Sequence, residues 1–259
     1  MSGDDGVFTT LFVQTLTAQH VQTRWLPEPP ALPSDLQQQI EAYWESLPKE
    51  FIYNGALARL AGWQLHDGWA EFTLQASDYR TLLFSNRHVG EIRRNWGEAC
   101  LSRALGISAL LKSGDGRLLF IERSTAVGEF PGALDVFGGH IDPPAEGPPD
   151  VFAAMAKELQ EEAGLRPNEY DLMLIGMIES APNRKPELIF CAETDLTEQE
   201  IKIRANGAAD RAEFSRIFSI ADQEEPLRRW LGNEREKWSP SAYGGLCLYL
   251  RRPESKAGG

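Results

Sequence analysis

The sequence predicts a mixed α/β protein in which a smaller N-terminal α+β portion, residues 1–100, precedes a larger α/β domain over residues 101–252, with a disordered tail over 253–259. Three observations carry this. From residue 105 onward, short runs rich in β-branched and aromatic residues alternate with stretches of helical periodicity. Two turn signals, His66-Asp67-Gly68 and Ser113-Gly114-Asp115-Gly116, each sit between apolar runs, where glycine supplies the positive φ of a tight hairpin. A composition of 42% hydrophobic and 25% charged residues over 259 positions is that of a globular chain, not of a fibrous or disordered one.

Taken in order, residues 7–15 read as a strand, followed by a Pro-rich connection over 27–33. Ser34 is expected to cap a helix over 35–47, where Leu36, Ile40, Tyr43, Trp44 and Leu47 recur at three- and four-residue spacing and can share one face. The segments 57–65 and 69–74 form a hairpin, and 79–84 a short helix. In the second half, strands are expected over 107–111, 118–121, 134–137, 172–178, 188–192 and 214–220. Helices are expected over 151–163, 198–204 and 223–231.

Composition also narrows the partners. A formal charge of -12 repels a nucleic-acid backbone, so long DNA or RNA is an unsuitable ligand, whereas a small anionic substrate needs a local cation or a bound metal. No apolar run approaches the roughly 20 residues that span a bilayer, and the opening MSGDDG lacks a basic region leading into an apolar stretch. Cys100, Cys191 and Cys247 are odd in number and set among apolar neighbours, which argues for buried thiols in a reducing compartment. A cytoplasmic protein with no membrane partner is expected.

The chemistry is concentrated in residues 138–165. Asp150 is a good N-cap for the helix that follows, and Gly164 a natural stop. Phe152, Met155 and Leu159 fall on one face, while Glu158, Glu161 and Glu162 share a neighbouring one. Like charges at i and i+4 weaken an isolated helix by roughly 0.2–0.5 kcal/mol, so a cation should compensate. Lys157 helps, but grouped carboxylate oxygens better suit a hard divalent ion, Mg²⁺ or Mn²⁺. A solvated acidic face is the plainer explanation of the three acids taken alone.

Their context decides otherwise. Lys157-Glu158-Leu159-Gln160-Glu161-Glu162-Ala163-Gly164-Leu165, preceded by Gly138-Gly139 after a strand-like run, resembles the Nudix hydrolase box, departing at its first position by Lys for Arg and by a longer loop before the helix. The resemblance implies a Nudix α/β/α sandwich with a mixed sheet, and diphosphate hydrolysis with Mg²⁺. It implies Glu158, Glu161, Glu162 and the Gly139 carbonyl as metal ligands, with Glu161, Glu162 and Glu187 in catalytic roles. Glu161 and Glu187 are both open as the base, Glu187 being otherwise a charge on a strand edge. Glu146 is the candidate to replace the family's loop acid. Further matches, Ala104-Leu105-Gly106-Ile107, Arg123-Ser124, Pro131 to Val136, Pro240-Ser241-Ala242, and Asp78-Tyr79-Arg80 with Asn86, are similar to Nudix hydrolases that cleave UDP-sugars. They imply a small nucleotide-sugar substrate, UDP-glucose or UDP-galactose, bound by Arg123, Tyr79, Arg80, Asn86 and His140. For Tyr79 and Arg80 the alternative is packing and a surface charge; for Arg184 and Lys185, phosphate clamping or solvation; for His140, a bond within the loop. Coenzyme A is a second substrate class, weakened by Gly128, Phe130 and Ala133 where that pattern wants Arg, His and Glu; ADP-sugars are a third. A non-catalytic nucleotide-binding Nudix module is disfavoured, because all three acids are present.

Overall fold

The computed structural model describes residues 6–48, 52–126 and 129–252; the tail expected to be disordered and Gly128 lie outside the described residues. The larger of its two sheets contains β1 (Phe8–Leu16), β5 (Gly106–Lys112), β6 (Arg117–Arg123), β7 (Leu134–Asp135), β8 (Phe137–His140), β9 (Asp171–Ser180), β10 (Pro186–Glu193) and β11 (Phe214–Ala221). Their order is β1-β9-β10-β5-β6-β11, with β7 added on β6 and β8 on β5. β10 runs parallel to β5, and the other pairs are antiparallel, so the sheet is mixed.

β10 is apolar almost throughout because both of its faces are covered. Leu188, Phe190 and Ala192 join one core with Met155 and Leu159 of α3 (Val151–Ala163), whereas Ile189 and Cys191 join another with Leu246 and Leu248 of α6 (Pro240–Tyr249). Alternate side chains thus feed two layers, which makes the α/β/α sandwich. Two further helices, α4 (Glu198–Ala205) and α5 (Glu224–Asn233), complete this part.

The smaller sheet holds β2 (Val21–Leu26), β3 (Ala56–His66) and β4 (Trp69–Asp78), in the order β2-β4-β3. The turn between β3 and β4 places Gly68 at φ 84, as the Asp-Gly signal requires. α1 (Ser34–Ser46) and α2 (Tyr79–Asn95) share a core around Leu36, Ile40, Phe84 and Ile92. Division of the chain near residue 100 follows neither the hydrogen bonds nor the core. β1 pairs with β9 in the large sheet, and Leu60, Phe72 and Leu74 of the small sheet pack in the same core as Leu159 and Phe190. Backbone bonds from Ala58 to Ile141 and from Leu105 to Ala58 stitch the two parts together.

Several expectations need correction. Ser34 does not cap α1; it is the first helical residue, and Pro33 in the cap position offers no side-chain acceptor. The helix expected over 79–84 continues to Asn95 through non-helical dihedrals at His88, which interrupt its apolar period. The strand expected over 134–137 is two strands parted at Val136, one pairing with β6 and the other with β5. β2 was not expected. α6 also escapes periodicity, since nearly every side of it is buried and an all-round apolar helix has no polar face to read. Cys191 is buried, but Cys100 and Cys247 are only half-buried; none of the three forms a disulfide. Among the described residues no helix is long and apolar enough to cross a membrane.

The start of α3 is fixed as the sequence implies: Asp150 accepts bonds from the Phe152 and Ala153 N–H groups at 2.8 and 3.0 Å. Asp150→Ala is expected to cost about 0.5–2 kcal/mol, read as a lower urea midpoint at constant m-value; an unchanged midpoint would show that the cap contributes nothing.

Candidate active site

A cleft of about 380 Å³ opens where α3 meets β8 and the first residues of β5 and β10. Its floor is the double glycine. A Cβ at Gly138 would stand 2.1 Å from the Ile107 carbonyl oxygen, and one at Gly139 would stand 2.6 Å from the Glu158 carboxylate. Both positions are therefore glycine because α3 and β5 press directly on this backbone.

Glu162 lies on the buried side of α3 with Leu159, and its Oε2 accepts the Gly138 N–H at 2.7 Å. Burial, then the neighbouring Glu158 charge, push its carboxyl well above the ordinary range despite that bond. Glu158 is raised to about 7, by burial first and by Glu161 second. Glu161 is on the open side, its side chain 35% exposed and 3.8 Å from Lys157 Nζ, which donates at 2.8 Å to Asp142. The three acids do not share one evenly exposed face: Glu162 is buried, Glu158 half-buried and Glu161 faces the cleft.

Glu187 is not a strand-edge charge. It is buried at the start of β10, so close to Gly106 that a Cβ there would sit 2.2 Å from its Oε2. The Ser108 hydroxyl donates to Oε1 at 2.6 Å, while Oε2 is buried without a hydrogen bond, its nearest cation being Lys185 Nζ at 3.6 Å.

Arg123 lines the same cleft but is not free: its Nε donates to the Glu129 carbonyl at 3.0 Å, and its Nη1 to Asp135 at 3.2 Å. His140 Nε2 lies 3.3 Å from Glu129 Oε2, and Tyr79 is on the wall. Asn86 does not line the cleft; it donates to Glu129 at 2.8 Å from behind. Arg80 points elsewhere, paired with Asp78 at 2.9 Å and with Glu41. Its backbone turn after the Asp78 cap directs Tyr79 toward the cleft and Arg80 away from it. Glu146 is exposed and is not part of the lining. Arg184 pairs with Glu179 at 2.8 Å, whereas Lys185 is buried in the cleft wall, not solvated.

Sequence reading missed Glu129, Asp135, Asp210 and Glu213, all of which line the cleft. Each comes from a loop, a two-residue strand or a 3₁₀ turn, where no period marks it. Eight lining residues are acidic and three, Arg123, Lys157 and Lys185, are basic, so the cleft itself calls for a cation. Among the described residues no three His, Cys, Asp or Glu side chains are gathered into a ready-made metal cage. The donor set is nevertheless hard oxygen, and Mg²⁺ commonly keeps several waters and takes only one or two protein carboxylates. The carboxylates of Glu158 and Glu161, both in the cleft lining, fit that requirement, whereas Glu162 is buried behind them on the Gly138 N–H.

The NUDIX domain model matches residues 102–240, more than half of the chain. The chain belongs to the Nudix family. It is 30% identical over 187 residues to the uridine diphosphate glucose pyrophosphatase of Homo sapiens, a match covering 63% of this chain and 60% of that protein. Nudix hydrolase 9 of Arabidopsis thaliana is 23% identical over 257 residues, covering 83% and 79%. The Nudix chain spans about 60% of the length of the mammalian relatives it matches. A solved NUDIX hydrolase structure from Nitrosomonas europaea superposes with a TM-score of 0.40 at 16% identity, over 57% of this chain and 88% of that one.

The raised carboxyls make stability depend on pH. Glu158 ionises near its ordinary value when unfolded but near 7 when folded, so its stabilising contribution is present below pH 4.5 and is lost as pH rises through about 7. In a chelator, the melting temperature is expected to fall between pH 5 and 8, and to fall less in Glu158→Gln; parallel curves for the two proteins would refute this.

Proposed function

We propose that this Nudix hydrolase cleaves the diphosphate bond of a nucleotide sugar, UDP-glucose or UDP-galactose, to UMP and a sugar 1-phosphate, using Mg²⁺ or Mn²⁺. The observation that carries the reading is the packing of the Glu158 and Glu162 carboxylates against Gly138-Gly139, with Glu161 beside them on the open side and Lys157 3.8 Å from it. Likeness to a protein named for UDP-glucose hydrolysis supports the substrate.

On this reading Glu158, Glu161, Glu162 and the Gly139 carbonyl hold the metal. When bound, it supplies charge neutralisation on the diphosphate and a more acidic water. Oxygen from water forms a new bond to phosphorus, the bridging P–O bond breaks, and the released proton must find a base. Glu187 is the better placed of the two candidates: Ser108 fixes one oxygen and leaves the other with no donor inside the cleft. Arg123, already held in place by Asp135, offsets charge on a phosphoryl oxygen and on the leaving phosphate. Lys185, with its Nζ 3.6 Å from Oε2, orients Glu187. His140 and Tyr79 line the substrate's path, and Asn86 acts through Glu129. A small-molecule partner and a cytoplasmic location accord with the acidic charge and three cysteines outside any disulfide.

Glu162→Gln retains an acceptor for the Gly138 N–H but loses the charge. With Mg²⁺ present, its kcat is expected to drop by at least about a hundredfold, with its circular dichroism unchanged; wild-type turnover by the folded variant would remove these acids from the mechanism. Incubating the wild type with UDP-glucose, ADP-ribose and coenzyme A, then separating products, tests the substrate. Cleavage of coenzyme A alone would discard the nucleotide-sugar assignment.

A further inference from the structure

The least expected residue in the cleft is Glu129. It enters on the segment after β6, and the next residue, Phe130, holds a left-handed φ of 46 although it is not glycine. Backbone held in such a state is commonly retained at sites where it directs a functional group. The side chain lies among nitrogen atoms from three separate parts of the chain. Asn86 of α2 reaches Oε1 at 2.8 Å, while Lys185 and His140 reach Oε2 at 3.0 and 3.3 Å.

Charge balance argues that this is more than a counter-ion for a buried lysine. Lys185 has two carboxylate neighbours, Glu129 and Glu187, so one would suffice to neutralise it. Burial opposes the Glu129 charge, but Lys185 and His140 hold its carboxyl well below the ordinary range. It therefore stays an acceptor only. Asn86 donates to Oε1 and Lys185 to Oε2, and His140 Nε2 crowds Oε2 as well, so of the roughly four lone-pair sites of a carboxylate the less hindered open one is on Oε1, the oxygen bonded only to Asn86. A phosphate has no proton to give there and is repelled by the charge; an uncharged donor is not.

We propose that Glu129 is a specificity-determining residue whose Oε1 receives an uncharged O–H or N–H donor of the substrate, either a hexose hydroxyl or the imide N–H of the base. This rests on the nucleotide-sugar reading. It gives α2 a part in recognition, because Asn86 sets the angle at which Oε1 is presented. Phosphates are left to the guanidinium of Arg123 and to the part of the cleft lined by the acids of α3.

The test is a substrate series on the full chain in Mg²⁺: UDP-glucose, its monodeoxy-hexose forms and its N3-methyluracil form. One analogue is expected to lose roughly ten- to a hundredfold in kcat/KM with the wild type, the scale of a hydrogen bond to an ionised group. In Glu129→Gln, that analogue's penalty is expected to shrink to within about threefold. A deoxy form that responds identifies the sugar as the donor, and the N3-methyl form identifies the base. Asn86→Ala, which loosens Glu129 without unpairing Lys185, carries the same comparison if Glu129→Gln does not fold. Wild-type turnover of every analogue within about threefold of UDP-glucose, or a penalty undiminished in the variants, overturns the assignment alone. Failure of the wild type to cleave UDP-glucose overturns the nucleotide-sugar reading and this inference with it.

Discussion

The bond from the Gly138 N–H to Glu162 is the constraint from which the catalytic end of the molecule is built. A carboxylate that belongs to the buried stripe of α3 must find a donor where it enters the core, and the backbone of β8 provides one. The contact is possible only because the residues there lack side chains, and it draws Glu158 onto Gly139 one turn earlier. Helix, strand and loop are thereby locked at the separation that leaves Glu161 facing open space. The helix is not an acidic surface that happens to border a cleft; its acids are part of how it docks.

Around that lock the cleft is organised by unequal charge. Arg123 and Lys185 are each tied to more acid than they can neutralise, and the remaining negative charge collects along α3. Lys185 has its pKa raised, since Glu129 and Glu187 outweigh the effect of burial. Such an arrangement divides the work of recognition. On the proposed reading, the carboxylates of α3 and the Arg123 guanidinium serve the diphosphate, whereas the Glu129 carboxylate serves neutral hydrogen-bonding groups.

Much of this was legible before any coordinates. α3 ran over the expected residues because its cap, apolar stripe and glycine stop all agreed, and the Asp67-Gly68 hairpin followed from turn chemistry alone. The resemblance to the Nudix box singled out Glu158, Glu161 and Glu162 among the acids of the chain. What stayed hidden was long-range. Glu129 and Glu213 have no local pattern, and they reach the cleft only through the closure of the sheet. Arg80 failed for the opposite reason: it adjoins Tyr79 in sequence, but successive helical residues point about 100° apart, and nearby acids took it to the outside. α6 was silent because burial on every side erases amphipathic contrast.

β1 carries a practical lesson for anyone wishing to isolate the catalytic half. Its backbone covers the flank of β9, pairing from Phe8 to Leu16 across the outer edge of the large sheet. A fragment beginning near residue 100 would uncover a row of unsatisfied amides and carbonyls along a long, apolar strand. Such a flank invites self-association, so poor behaviour of that fragment would report a lost cover and not an unstable hydrolase core.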